Sequence, residues 1–95
     1  MTFDIQHNES ESRFETTIDG EVAFAEYETE SDSIVLTHTI VPRKIEKRGV
    51  GSAIIRHALD YARRENLKVV PQCGFAAAFV ERHPEYQDLV AVRTA

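Results

Sequence analysis

Tryptophan is missing from the sequence, and cysteine and methionine occur once each. A lone Cys73 cannot close an internal disulfide, so a stapled secreted scaffold is excluded and a reducing cytoplasm is the expected setting. None of the four histidines stands at metal-ligand spacing from another His, a Cys or a carboxylate cluster, and no metal is expected. No apolar run approaches the ~20 residues of a bilayer-crossing helix, and Met1–Ile5 carries neither the basic nor the apolar part of a secretion signal. No repeat, linker or low-complexity stretch divides the chain, so one domain over residues 1–95 is expected.

What is present suits a folded chain, with 42% hydrophobic and 28% charged residues. The net charge of −5 hides an uneven distribution. Residues 1–35 hold ten acids against Arg13 alone, whereas residues 43–68 hold eight bases against Glu46, Asp60 and Glu65. A basic segment on an acidic chain points to a bound anion of limited size, or to a solvated helix face. It lacks the interleaved aromatics and the extent that nucleic acid asks for, so no nucleic-acid partner and no membrane are expected.

Phe14, Thr16 and Ile18 alternate up to Asp19-Gly20, a pair suited to a type I′ hairpin turn. A second strand follows over Glu21–Glu28, with Val22 and Phe24 on one face and Ala23, Ala25 and Tyr27 on the other. After a turn at Glu30-Ser31-Asp32, Ser33–Val41 reads as a third strand, with Ile34, Leu36, His38 and Ile40 on a common face. From Val50 the apolar period becomes helical through Ala62, and Asn66 is a suitable left-handed stop. Leu67–Gln72 reads as a strand parallel to the third, reached by a strand–helix–strand crossover. Phe75, Ala78 and Phe79 suggest a second helix, with the two phenylalanines in the core, ended at His83-Pro84. Residues 86–95 carry no clear period. The fold class is α+β.

Gly49 and Gly51 fall where the third strand has ended and the helix begins. Glycines there allow a tight turn and leave several N–H groups facing the positive end of the helix dipole, a setting for a phosphate or diphosphate supplemented by Lys47 and Arg48. A helix-starting turn without a ligand fits the spacing equally well. The third glycine of a dinucleotide loop is missing, and so is the Gly-Lys-Ser/Thr of a Walker loop.

The segment Leu36-Thr37-His38-Thr39-Ile40-Val41-Pro42, then Arg48-Gly49-Val50-Gly51 and Ala58-Leu59-Asp60-Tyr61-Ala62, resembles the acetyl-coenzyme A motif of the GNAT acetyltransferase superfamily. Val70-Pro71-Gln72-Cys73 and Arg82-His83-Pro84-Glu85-Tyr86 resemble the short, single-domain YjdJ-type GNAT-like family, and the likeness spans roughly residues 5–91. It implies a truncated GNAT core: an antiparallel meander, a strand–helix–strand unit and a second helix. It also implies that amides around Lys47, Arg48, Gly49, Val50, Gly51 and Ser52 hold the diphosphate of acetyl-coenzyme A, while Ile40 and Val41 pair with the pantetheine arm. One position departs from the pattern. The superfamily carries Gln or Arg three places before the first motif glycine, and here the residue is Glu46.

Acetyl transfer to an amine needs a deprotonated acceptor and a stabilised oxyanion. Cys73 stands just before the second helix, where the helix dipole favours a thiolate, and His38 lies in the strand beside the implied arm. The resemblance carries a catalytic His and Cys onto His38 and Cys73. A buried hydrophobic cysteine and a hydrogen-bonded core histidine are the structural alternatives. The tyrosine that relatives place on the second helix has no counterpart, since Phe79 and Val80 occupy that region. The expected activity is acetyl transfer to a small amine or a protein amino group by a monomer or homodimer. The alternative is an acyl-coenzyme A-binding or protein-interaction module without turnover.

Overall fold

A computed structural model describes residues 3–91. The sheet begins earlier than the sequence pattern suggests. Gln6–Asn8 (β1) pairs antiparallel with Arg13–Ile18 (β2) across a 3-10 turn at Glu9–Glu11, where the Asn8 side chain accepts the Glu11 amide at 3.2 Å. Asp19 and Gly20 take φ of 52° and 78°, the two positive values a type I′ turn needs, and return the chain as Glu21–Glu30 (β3). Ser31 and Asp32 turn it again into Ser33–Ile40 (β4). Val50–Arg64 (α1) then crosses to Lys68–Pro71 (β5), parallel to β4, completing a five-stranded sheet in order β1-β2-β3-β4-β5.

Helix α1 covers one face of this sheet. Ile54, Ile55, Ala58, Leu59 and Ala62 are fully buried, and the small Ala23 and Ala25 on β3 let the helix lie close to the strands. The helix stops in a Schellman arrangement. Asn66 turns left-handed at φ 56°, the Leu67 amide reaches the Ala62 carbonyl at 2.8 Å, and Asn66 donates to Arg63. Beyond it, Gly74–Arg82 (α2) and a 3-10 segment Pro84–Leu89 pack on the same core. Tyr86 pins that segment to α1 by donating to Asp60 at 2.7 Å, and Arg63 forks onto Asp88. Among the described residues no helix is long and apolar enough to cross a membrane, and no group of three His, Cys, Asp or Glu could hold a metal. The unclear stretch 86–95 resolves in part into the 3-10 segment and a Val69–Val90 bridge, and its last four positions lie outside the described residues.

Two expectations about side-chain direction are corrected. In α2 the buried stripe is Ala76, Phe79 and Val80, while Phe75 and Ala78 stay outside the core. The Cys73 side chain caps this helix by accepting the Ala76 amide at 3.4 Å, and that cap fixes the phase. In β4 the pairing shifts from Glu26↔His38 to Tyr27↔Leu36, so Thr37 is the extra residue of a bulge. Alternation restarts there. Ile34 and Leu36 point into the core, whereas His38 and Ile40 turn to the outer face with Glu26 and Phe24.

His7 also departs from its polar sequence context. Its ring stacks on Phe14 with centroids 4.3 Å apart, meets Tyr61 edge-on at 4.5 Å, and has Nε2 2.6 Å from the Tyr27 hydroxyl. Burial pushes its pKa below the ordinary imidazole value. Glu9 opposes the shift and His57 adds to it. A histidine lowered in this way binds its proton more readily in the unfolded chain, so the stability it contributes is present above about pH 6.5 and declines as pH falls from there. Urea midpoints are expected to drop between about pH 7 and 5.5, above the carboxylate range, and His7→Phe should flatten that slope. An unchanged slope in the variant would assign the dependence elsewhere.

Candidate functional site

A cleft of about 550 Å³ opens where β4 ends and α1 begins. Its existence follows from the bulge and from a short partner strand. Strand β5 pairs with β4 only from Ser33 to Leu36, where the Leu36 carbonyl accepts both the Gln72 and Cys73 amides at 3.1 and 3.0 Å. Past that point the chain leaves β4 for α2, and the edge of β4 from Thr37 to Ile40 faces a gap. Ile40 and Val41 line the cleft from this side, and Lys47, Gly49, Val50, Gly51 and Ser52 line it from the other.

The helix end at the cleft is built to leave donors free. Gly49 is the N-cap at φ 78° and offers no side-chain cap, and Ala53 is the first residue whose amide returns to it, at 3.0 Å. The amides of Val50, Gly51 and Ser52 have no backbone acceptor among the described residues. No acid stands in the first turn, and Arg63 and Arg64 in the last turn complement the opposite pole. The residues present therefore fit a diphosphate.

The flanking charges differ in direction. Lys47, at φ 66°, lines the cleft. Arg48 is turned to the β2–β3 turn, where it pairs with Asp19 at 2.9 Å and ties the loop to the hairpin. Glu46 also lines the cleft, a negative charge beside an anion cradle. Glu46→Gln is expected to tighten coenzyme A binding about threefold in dilute buffer and less at high salt, as for an exposed charge. Calorimetry at two ionic strengths checks this, and equal affinities in both proteins would remove Glu46 from the site.

Cys73 joins the cleft through Thr39. The two side chains are 3.3 Å apart, and Thr39 lines the cleft from the helix-covered face of β4. His38 lies on the other face. Its Nδ1 is 3.6 Å from Glu26, and it borders a separate depression of about 330 Å³ shared with Glu11, Glu28 and Gln72. The structure thus brings together Ile40, Val41, Lys47 and Gly49–Ser52, leaves Cys73 behind Thr39 and outside the cleft lining, and directs Arg48 and His38 elsewhere. Among the described residues no hydrogen bond joins His38 to Cys73.

Three cleft residues escaped the sequence reading: Thr39, Ile45 and Phe75. Thr39 carries no chemical signature of its own. Ile45 is buried in a 3-10 turn, Arg43–Ile45, that helical or strand periodicity does not register. Phe75 could have been suspected from its place two residues after Cys73, next to a cap.

Comparison with known proteins agrees with this geometry. The family described as GCN5-related N-acetyl-transferase matches over residues 13–89. Among solved structures, the NMR solution structure of a GCN5-like protein from Staphylococcus aureus, a proposed N-acetyltransferase, superposes with a TM-score of 0.76 at 26% identity, covering 97% of this chain and 91% of that one. No curated protein sequence is significantly similar.

Proposed function

Because the chain belongs to the GCN5-related N-acetyltransferase family, we propose that it binds acetyl-coenzyme A in the cleft and passes the acetyl group to an amine. The observation that carries this reading is the uncapped start of α1, where the amides of Val50, Gly51 and Ser52 face a cleft continuous with the open edge of β4. Those amides, with Lys47, hold the diphosphate, and Ile40 and Val41 offer backbone to the arm. When bound, the donor supplies a thioester, whose carbonyl carbon the amine attacks as the carbon–sulfur bond breaks and coenzyme A leaves as the thiol.

In this reading Cys73, held by Thr39, stands at the acyl end of the cleft. His38, beside Glu26, faces the incoming amine from the outer side of β4 and takes its proton. The depression around His38 contains the carboxylates of Glu11, Glu26 and Glu28, which favours a cationic acceptor. The single free thiol supports work in a reducing cytoplasm.

Titration of the purified protein with acetyl-coenzyme A and coenzyme A tests the donor site, and absence of binding at millimolar ligand removes it. Cys73→Ala and His38→Ala, assayed on a panel of amines, test the two roles, and unchanged product formation clears the residue concerned. A donor-binding module without turnover is the second reading, favoured by the separation of His38 from Cys73 and by the burial of Phe79 and Val80 on α2. Donor binding with no product from any amine would select it.

A further inference from the structure

Both α-helices join the core on one face of the sheet, and the other face changes character along its length. Strands β3 and β4 present that face in successive cross-strand pairs. Phe24 stands opposite Ile40, and two residues further along Glu26 stands opposite His38. The first pair is apolar and continues into Val22, and Ile40 and Val22 stay 48% and 40% exposed. Phe24 is half-buried, with the Arg13 guanidinium 4.6 Å from its ring centre, and Glu15 pairs with that arginine. The second pair belongs to the depression that Glu11 and Glu28 also line, with no lysine or arginine in its lining. An apolar rung thus lies beside an acidic one, about 6.6–6.8 Å away by the rise of two strand residues. Ile40 lines the donor cleft as well, so the apolar rung sits at the open edge of β4 where the two sides meet.

We propose that this face docks the acceptor as a lysine in an extended protein segment, its amine between Glu26, Glu28 and His38 and a large apolar residue two positions away on Phe24 and Ile40. The proposal rests on the acetyl-transfer reading above and decides the acceptor class. An extended chain puts side chains i and i+2 on one side at the spacing that separates the two rungs. A small polyamine would use the acids and leave the apolar rung wet, gaining nothing from the release of its water. A second copy of the chain would bring further acids to a face already acidic, whereas a lysine supplies the charge that Glu11, Glu26 and Glu28 attract. Of the ammonium's protons, one is lost to water before attack. His38 takes another as the carbon–nitrogen bond forms, and releases it as the carbon–sulfur bond breaks and coenzyme A leaves as the thiol.

Two capped peptides of one composition test it, by nuclear magnetic resonance titration of the isotope-labelled protein with coenzyme A present. In Leu-Ser-Lys-Ser-Leu the leucines share a side with the lysine, and in Ser-Leu-Lys-Leu-Ser they take the opposite one. The first is expected to bind about tenfold more tightly, as for one leucine largely removed from water, and to shift the amides of Phe24, Glu26 and His38. Equal affinities, or shifts confined to other residues, overturn the proposal. In Phe24→Thr, which keeps a strand-forming residue, the preference should fall below about threefold, and an unchanged preference overturns the proposal. The two peptides are compared on the unaltered protein, so the test stands even if the variant does not fold. Concentration-dependent shifts of the same amides without peptide would give the face to a second copy and also overturn it. With acetyl-coenzyme A, the first peptide should be acetylated with a kcat/KM about tenfold above the second. Absence of coenzyme A binding removes the transfer reading and the acceptor role with it. Coenzyme A binding with product from spermidine alone removes only the lysine-segment acceptor.

Discussion

Gly49→Val is expected to lower coenzyme A affinity on the order of 100-fold while costing the fold only about 1–2 kcal/mol. The reasoning starts from one angle. Gly49 sits at φ 78° with open space around its missing Cβ, so conformation and not crowding forbids a side chain. A β-branched residue does not hold that φ, and the loop will relax into an allowed region. The relaxation turns the Gly49–Val50 peptide and misaims the amides of Val50, Gly51 and Ser52, whose convergence is the cradle. Asparagine tolerates the left-handed region, so Gly49→Asn should keep affinity within a few-fold of the wild type. Equal losses for Val and Asn would show that the side chain and not the angle was responsible.

Phe14→Ala is expected to remove about 3–5 kcal/mol of folding stability, the largest effect on the fold proposed here. The ring is fully buried on β2, stacked on His7 and met edge-on by Tyr61, and it joins β1 and β2 to α1. A total stability of about 5–15 kcal/mol is usual for a domain, so the variant keeps a reduced margin and its melting temperature should fall by more than about 10 °C. Phe14 lies away from the cleft, so coenzyme A added to the folded fraction should bind with wild-type affinity. Urea unfolding followed by circular dichroism gives the number, and a loss below about 1 kcal/mol would mean that the cluster repacks around the gap.

How much of this could be read from the chain depended on the range of the interaction concerned. The hairpin at Asp19-Gly20, the stop at Asn66 and the helix start at Gly49 rest on the backbone preferences of one or two residues, and those preferences were visible. The faces of β2 and β3 follow strict alternation and were visible too. Strand β1 is three polar residues, of which only His7 packs on Phe14, Tyr27 and Tyr61, all distant in sequence. The bulge at Thr37 exists only in the pairing with β3, and no local residue type announces it. Phe75–Val80 is apolar throughout, so composition gives a helix without its rotation, and the Cys73 cap decides it. Arg48 lies in the basic loop as expected, but its direction was settled by Asp19, 29 residues earlier.

The bulge has a further consequence for how this chain can vary. A strand that kept residue 37 but lost the bulge would alternate without a break past Leu36 and exchange its faces from that point on. The imidazole and Ile40 would then press inward against α1, and Thr39 would swing away from the sulfur it now holds. A strand that stayed regular would bring the same side chains to the wrong sides of the sheet, so the chemistry of this edge hangs on a single miscounted step in the ladder.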